Sequence, residues 1–414
     1  MNRNVRWLTI SGGIRATGLS LALPFLILYL RNVLGISYVE VGILVAITGI
    51  VPLLIGPFAG LLTDRVGRRR VFFLALGLEA ASFFGLAESM QMRSLVIVLG
   101  LWSAVQVVGN IGGPAISAYI ADFAHGSERT MGYTWVRIGW NVGFTFGVLF
   151  GGVLIGLTGF VSVAVIAGGI LLVGLAVGIA SLDPSPYDLD RRRAAADPPG
   201  GVDRPRAATT LRSFRILARD RPFLGLCFAV AIAELTIGQW STTFPLYVNS
   251  VLGIPYAILG AGFALNGLVV VFGQAPMTRA ALGRRHTSVL VLGIAAYAIG
   301  FLLFGIDGQY ALALVPMLFA VVFVLTLGEN LTSIPMTTLP SNLAPPSEIG
   351  AYNGVFSAII GVGYLLAPVM GGAAIAASPN PIVVWSLLVA PAIPACALLF
   401  LYVVPRLGRE ANTA

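Results

Sequence analysis

The chain is poor in charged residues and contains no lysine. Charged residues make up 10% of its 414 positions, all 25 basic residues are arginine, and 57% of the residues are hydrophobic. The mean hydropathy of +0.91 is far too high for a water-soluble globule. Apolar runs of about 20 residues, the length that crosses the hydrocarbon core of a bilayer, recur from end to end. The sequence therefore predicts an all-α integral membrane protein.

Residues that carry most enzyme and metal chemistry are also scarce. There are two cysteines, both inside apolar runs, and two histidines, both in loop regions. The sequence has no phosphate-binding glycine loop, metal-ligand spacing or nucleophile pattern. We therefore expect no disulfide, no metal, no cofactor and no enzymatic activity. The net charge of +8 lies in the loops, so it indicates membrane orientation and not nucleic-acid binding.

Twelve membrane spans are predicted. The loops after spans 2, 4, 6 and 8 hold most of the arginines, whereas the opposite loops hold only Arg31 and Arg93. Because positive residues stay on the cytoplasmic side, both termini are predicted to be cytoplasmic, with the chain in the inner (cytoplasmic) membrane. The predicted spans are 7–30, 40–62, 71–88, 94–121, 134–157, 160–181, 222–248, 257–277, 287–306, 310–336, 350–375 and 382–404.

Residues 182–221 divide the spans into two groups of six. The segment is rich in Asp, Arg, Pro and Ala and poor in large apolar residues, which predicts a cytoplasmic linker. The predicted domains are a six-helix half at 1–181, this linker, and a second six-helix half at 222–414.

The two halves share an internal repeat. Leu28–Gly42 (LYLRNVLGISYVEVG) returns as Leu246–Gly260 (LYVNSVLGIPYAILG). Farther along, Gly147–Gly152 in span 5 returns as Ala367–Gly372 in span 11. Parallel repeats of this kind indicate two pseudo-symmetric six-helix bundles.

A short charged turn, Gly60–Arg70 (GLLTDRVGRRR), lies between spans 2 and 3. Gly67 gives the backbone freedom of a tight turn, and the arginines anchor it on the cytoplasmic side. The negative charge of Asp64 works against an anchor made of positive charges, so we expect this carboxylate to have an interaction partner. The pattern G-x-L-x-D-R-x-G-R-R resembles the signature loop of the major facilitator superfamily. This resemblance implies twelve helices in two halves, a central cavity with alternating access, and a transport function.

The resemblance also implies a conformational latch at the cytoplasmic end of the first half. In the family, the loop aspartate, a following arginine and an acid at the end of span 4 form a charge cluster that locks the outward-facing state. The second half lacks these charges, with Thr278 and Asn342 at the places of the two acids. A plain positive-inside anchor is the alternative. The predicted latch residues are Gly60, Asp64, Arg65, Gly67, Arg68, Asp122, Arg129 and Arg137.

Small residues in spans 5 and 11 are predicted to let helices approach closely. Those of span 5 resemble the glycine-rich motif of the family's drug/proton antiporters, although Val148 replaces the usual proline. Ordinary tight packing is the alternative explanation. The predicted helix-packing residues are Gly143, Gly147, Gly151, Gly152, Pro368, Gly371 and Gly372.

Ionisable residues inside membrane spans are costly in lipid and indicate function. Arg15 on span 1 and Glu234 on span 7 have similar predicted depths, and the resemblance implies that spans 1, 4, 7 and 10 line the cavity. We therefore predict that the two face each other across it, with a structural salt bridge between the halves as the alternative. Glu79, on a span that the family places peripherally, is predicted to be structural. The predicted cavity residues are Arg15, Asn110, Glu234, Gln239, Trp240, Glu329 and Asn330.

Glu234 is the predicted proton carrier. A pair with Arg15 would hold the carboxylate ionised until solute breaks the pair, and Glu329 would carry the proton if the pair persists. The family's drug/proton antiporters usually have an arginine on span 4 where this chain has Val105, so Arg15 would have to supply that charge.

These features predict a secondary transporter that exports a small organic solute in exchange for protons. The predicted energy source is the proton gradient, and the predicted partners are a small-molecule substrate, protons and the lipid bilayer around a monomer. A proton/solute symporter or a facilitator for a metabolite is the alternative with the same fold. A lipid translocase or a sensor without tight coupling is the alternative from another class.

Overall fold

In the computed structural model, helices make up nearly all of the described chain. The structure describes residues 2–124, 126–189, 217, 219–310, 313–345, 348–408 and 412–413. For residues 56–61, 64, 126–127, 130 and 309 it describes the backbone alone. Most of the predicted linker, residues 190–216 and 218, lies outside the described residues.

Eleven helices in the described part of the chain are long and apolar enough to cross a membrane. One of them belongs to Gly126–Ser181, which has 56 residues. At 1.5 Å per residue this element would be about 84 Å long, nearly three times the hydrocarbon thickness. It breaks at Gly159, whose φ of 81° and ψ of 172° are not helical. The break falls between predicted spans 5 and 6, so twelve crossings result.

The observed helices coincide with the predicted spans, and most extend a few residues beyond them. Span 1 bends through a 3₁₀ turn at Leu23–Phe25, where Pro24 cannot donate a backbone hydrogen bond. Span 7 similarly ends in short 3₁₀ and π segments. Apart from spans 5 and 6, the bounds are Arg3–Asn32, Tyr38–Val66, Arg68–Gln91, Leu95–Phe123, Arg221–Val251, Tyr256–Ala281, His286–Tyr310, Leu314–Leu343, Ile349–Ala377 and Pro381–Arg406.

Two compact units make up the structure. The first comprises Met1–Gly35, Ile47–Asp203 and Pro255–Leu268, and the second comprises Ile36–Ala46, Arg204–Ile254 and Val269–Ala414. Each unit thus takes one stretch from the other sequence half, namely 255–268 or 36–46. The division of the chain into domains at 1–181 and 222–414 stays a prediction.

Large apolar side chains cover the outside of both units. Val96 of the first unit is 79% exposed, and Phe272 and Leu401 of the second are 74% and 77% exposed. Isolated exposed apolar residues are common in water, but here they recur on almost every long helix. A helix satisfies its own backbone hydrogen bonds, so such a surface is stable against lipid tails.

The internal repeat is visible in how each unit packs. In the first unit Gly147 lies against Thr17 of span 1, and Gly152 lies against the carbonyl of Tyr256. In the second unit Gly371 lies against Thr243 of span 7, and Gly372 against the carbonyl of Tyr38. Tyr38 and Tyr256 are equivalent positions of the repeat, so the two units use the same small-residue contacts.

Candidate functional site

A cavity of about 610 Å³ lies within the first unit, among the helices of spans 1 to 5. Apolar side chains such as Leu19, Val105 and Phe144 form much of its wall. The polar residues on the wall include two predicted cavity residues, one predicted latch residue and several that were not predicted. These polar and aromatic residues are Arg15, Ser20, Glu79, Gln106, Asn110, Ser117, Tyr133, Arg137 and Trp140.

Arg15 forms a buried ion pair with Glu79. Its Nε lies 2.7 Å from Glu79 Oε2 and its Nη2 lies 2.5 Å from Oε1, which makes the contact bidentate. The side chains are only 3% and 0% exposed. The Trp140 ring centre lies 5.6 Å from Arg15 Cζ, within cation–π range. Such a pair fixes the orientation of the guanidinium on the cavity wall.

This pairing corrects two predictions. Arg15 was expected to be matched with Glu234, but both of its hydrogen bonds go to Glu79 on span 3. Glu79 was expected on a peripheral span, but it lines the cavity. Similar depth along two helices cannot decide which residues meet, because each residue turns the side-chain direction by about 100°.

Span 4 is tied to span 2 by two polar side chains. Because Pro52 has no backbone N–H, it cannot donate to the carbonyl of Thr48 one turn earlier in its own helix. The Gln106 side-chain amide of span 4 lies close instead, with Nε2 at 3.5 Å from that carbonyl and 3.3 Å from the Thr48 hydroxyl. One turn along span 4, Asn110 donates to the Pro52 carbonyl at 3.1 Å. Asn110 therefore joins two helices at the edge of the cavity.

The second unit repeats this arrangement. Asn330, the repeat equivalent of Asn110, donates to the carbonyl of Val269 on span 8 at 3.4 Å. Gln274 of span 8 donates to the Ser333 hydroxyl of span 10 at 3.2 Å. The predicted polar residue of span 10 thus has a helix-joining contact, which periodicity alone did not indicate.

Glu234 lies near the end of the helix Arg221–Ile237 and is 6% exposed. Within the described part of the chain, its carboxylate forms neither an ion pair nor a hydrogen bond. The phenol groups of Tyr297 and Tyr364 lie within electrostatic range of it, and Tyr364 is also hydrogen-bonded to Ser241. Glu329, which is half-buried, lies within the same range of Tyr297. These residues form an acidic and phenolic cluster in the second unit.

Gln239 and Trp240 have different surroundings. Gln239 is fully buried and donates to the carbonyls of Leu235 and Ala367, at 2.6 and 3.0 Å, so its amide joins spans 7 and 11. Trp240 is half-buried, with its ring 5.1 Å from that of Phe244. Gln239 is therefore a packing residue in this structure.

The latch residues are partly brought together. Arg68 and Asp122 form an ion pair between spans 3 and 4, and Arg68 also donates to the Ala118 carbonyl at 3.1 Å. Gly67 has φ of 103°, which glycine adopts without strain and which begins span 3 after a sharp turn. Gly60 lies within the helix Tyr38–Val66, and the side chain of Asp64 lies outside what the structure describes.

The other three predicted latch arginines have different surroundings. Arg65 is exposed, and Arg129 contacts Tyr133 one turn along its own helix, through the hydroxyl at 3.2 Å. Arg137 lines the cavity, a place that the sequence did not indicate. Arg68 and Asp122 thus form the observed part of the predicted cluster.

Two residues at this end were missed from the sequence. The Asp188 carboxylate accepts hydrogen bonds from the backbone N–H groups of Arg68 and Arg69, at 2.9 and 3.2 Å. The Tyr187 ring centre lies 4.1 Å from Arg68 Cζ. Both residues fall in the first part of the predicted linker, where the Pro184 and Pro186 pair was the available signal of local order.

The predicted packing glycines lie at close helix contacts. A methyl group on Gly143 would overlap the carbonyl oxygen of Gly13, and one on Gly151 would overlap that of Leu21. On span 11, the Pro368 carbonyl lies against Gly42. Only glycine lets these backbones approach so closely.

We expect Gly143→Ala to lower the thermal stability of the purified protein. The added methyl group must push spans 1 and 5 apart, and overpacking of this kind costs about 1–3 kcal/mol. Gly156→Ala is the matched control on the same helix, because nothing lies within 4 Å of the added methyl group. Equal unfolding temperatures for the two variants would contradict the close-packing role.

A multi-pass membrane protein of two helical units, each repeating the other's packing, is the class that these observations define. A family model described as Major Facilitator Superfamily matches residues 8–368. The chain belongs to the major facilitator superfamily, and as such it is a membrane transporter of a small solute and not an enzyme.

Three comparisons illustrate the likeness. The chain is 24% identical over 394 residues to YqjV of Bacillus subtilis, an uncharacterized MFS-type transporter, covering 93% of this chain and 90% of that one. It is 27% identical over 154 residues to the quinolone resistance protein NorA of Staphylococcus aureus, covering 37% and 38%. The crystal structure of the peptide transporter POT has the same fold, with a TM-score of 0.76, 17% identity and coverage of 100% and 96%.

Proposed function

We propose that this protein is a proton-coupled antiporter that exports a small organic solute by alternating access. The observation that carries the proposal is the contrast between two buried acids. Glu79 is neutralised by a bidentate arginine, whereas Glu234 has no ion pair among the described residues. A carboxyl group in a membrane span without a counter-charge is suited to bind and release a proton during the cycle.

The cavity of the first unit supports an organic solute. Its volume of about 610 Å³ falls within the range of small-molecule sites, about 300–1,000 Å³. Its wall combines apolar side chains with the Trp140 ring, the charged side chains of Arg15, Glu79 and Arg137, and a few amide and hydroxyl groups. Such a wall suits a molecule with a sizeable apolar or aromatic part and a small number of polar groups.

The export direction rests on resemblance. The glycines of span 5 resemble the motif of drug/proton antiporters, and part of the chain is similar to a quinolone resistance protein. Val105 and Val148 depart from the antiporter pattern. These departures concern the span 4 arginine and the span 5 proline. They do not affect Glu234, the proposed proton carrier.

A proton/solute symporter is the second candidate, and one observation favours it. The Arg15–Glu79 pair presents both charges at the cavity wall, an arrangement suited to a zwitterionic solute. In this candidate the solute would move with the proton and not against it.

The two candidates are separated by the sign of the pH gradient that drives uptake. Purified protein is placed in liposomes, and accumulation of a quinolone, ethidium and a dipeptide is measured with the lumen made acidic or alkaline. An antiporter accumulates its solute in an acidic lumen, because protons leave as solute enters. A symporter accumulates solute when the outside is acidic. Uptake of all three probes that ignores the gradient would contradict proton coupling.

We further propose a monomer in the inner membrane with both termini in the cytoplasm. The Arg68–Asp122 pair, together with Asp64, would then act as a cytoplasmic latch that holds the outward-facing state. Individual exposed ion pairs are worth about 0–1 kcal/mol, yet a cluster can bias two states that differ by a few kcal/mol.

We expect trypsin to cleave the predicted linker from the cytoplasmic side only. The segment 191–215 is rich in arginine and follows span 6, whose end is predicted to be cytoplasmic. Inverted vesicles should yield two fragments of similar size, and right-side-out spheroplasts should keep the chain intact. Cleavage in spheroplasts would reverse the proposed orientation.

A further inference from the structure

The segment that leaves span 6 is held against the start of span 3. Asp183 and a short helical turn, described over residues 186–189, follow span 6. The backbone N–H of Asp188 donates to the Ser185 hydroxyl at 3.1 Å, and both residues are buried. The residues before the turn are held by Tyr119 of span 4, whose hydroxyl donates to the Asp183 carbonyl at 2.7 Å. The beginning of the predicted linker is therefore an ordered part of the first unit.

Asp188 supplies a cap that the sequence of span 3 lacks. The first N–H groups of a helix have no partner in the helix itself, and span 3 begins after Gly67, which has no side chain to accept from them. Asp188 accepts from two of these groups, those of Arg68 and Arg69. A carboxylate at this position also has a favourable interaction with the helix dipole. The cap fixes the backbone from which the Arg68 side chain projects.

The side chain of Tyr187 contacts the same arginine. The Arg68 guanidinium lies over the Tyr187 ring and forms its ion pair with Asp122 of span 4. One arginine is thus fixed at its N–H by Asp188 and at its guanidinium by Tyr187. Both contacts come from residues that directly follow span 6.

We propose that Asp188 and Tyr187 are positioning residues of the latch. They hold Arg68 in the orientation that pairs with Asp122, so the exit of span 6 is coupled to the contact between spans 3 and 4. This inference rests on the proposed latch, and the test below separates the two.

The test compares Asp188→Asn with Asp122→Asn in full-length protein. The reporter is Ser117→Cys on the cavity wall, in a chain whose Cys227 and Cys396 are replaced by alanine. A membrane-impermeant maleimide is added to inverted vesicles, and the labelling rate is measured together with turnover of the transported probe. We expect both variants to raise the labelling rate and lower turnover, Asp188→Asn by about fivefold, the effect of losing about 1 kcal/mol at a helix cap.

The double variant Asp188→Asn with Asp122→Asn tests whether Asp188 acts through the Arg68–Asp122 pair. If it does, Asp188→Asn should have little further effect on labelling or turnover when Asp122→Asn is already present. Tyr187→Ala removes the ring that lies against the Arg68 guanidinium, so its labelling rate and turnover should follow those of Asp188→Asn. This variant also tests the inference if Asp188→Asn does not fold.

Asp183→Asn is the matched control. It removes the same charge from the same segment, but its carboxylate contacts Asn4 at 3.2 Å and not span 3. Labelling of Asp188→Asn and Tyr187→Ala equal to that of Asp183→Asn, or additive effects in the double variant, would overturn the inference. If Asp122→Asn itself changes neither labelling nor turnover, the latch is wrong and the inference falls with it.

Discussion

Glu234→Gln is expected to abolish transport driven by a pH gradient while leaving solute exchange intact. Glutamine has nearly the shape of glutamic acid but cannot bind and release a proton at this site. Because Glu234 has no ion pair among the described residues, the change leaves no buried arginine without its counter-charge. The solute path is therefore expected to persist and only the coupling to be lost.

The measurement uses liposomes preloaded with unlabelled probe or with a pH gradient alone. A gradient of one unit stores about 1.4 kcal/mol per proton, enough for about tenfold accumulation at one proton per solute. The parent chain should reach such a ratio, whereas Glu234→Gln should stay near one and still exchange labelled for unlabelled probe. Glu329→Gln is the comparison variant, expected mainly to alter affinity. Gradient-driven accumulation by Glu234→Gln would show that another group carries the proton.

Glu79→Gln is expected to destabilise the protein strongly. The change leaves the Arg15 guanidinium buried, 3% exposed, without its carboxylate. Removing one partner of a buried ion pair typically costs about 3–5 kcal/mol. For a unit of this size such a loss corresponds to a fall of about 10 °C in the unfolding temperature.

The matching control replaces both partners. Arg15→Met with Glu79→Met removes the two charges together and keeps much of the volume, so its stability should return close to that of the parent chain. Glu234→Gln serves as a second control, since it neutralises an acid that has no ion-pair partner in the described part of the chain and should leave the unfolding temperature nearly unchanged. If Glu79→Gln and Glu234→Gln unfold at the same temperature, the Arg15–Glu79 pair does not stabilise the protein as expected.

The observed pair also changes what an arginine variant should do. From depth alone, Arg15→Ala would shift the pH optimum upward, because Glu234 would lose the charge that keeps it ionised. With Arg15 paired to Glu79, the variant should instead leave Glu79 without its counter-charge and resemble Glu79→Gln in stability. The pH dependence of transport should then be set by Glu234 and be the same with or without Arg15.

The sequence by itself determined the membrane class, the spans and the repeat. An apolar run of bilayer length forms a helix, because the helix satisfies its own backbone hydrogen bonds in lipid. The one non-helical residue inside Gly126–Ser181, Gly159, accordingly falls between predicted spans 5 and 6. The charged turn with Gly67 and Arg68 indicated the superfamily, and the glycines of span 5 indicated close helix contacts. These features are local, because each depends on residues a few positions apart.

Only the tertiary structure decided which polar side chains meet. The partner of Arg15 lies 64 positions away on span 3, and the cap of span 3 comes from Asp188 at 120 positions from Arg68. Asn110 and Asn330 likewise proved to join neighbouring helices through backbone carbonyls. The depth of a residue follows from counting along its helix. Its facing direction depends on how the helix is rotated against its neighbours, and that rotation is set by packing across the whole unit.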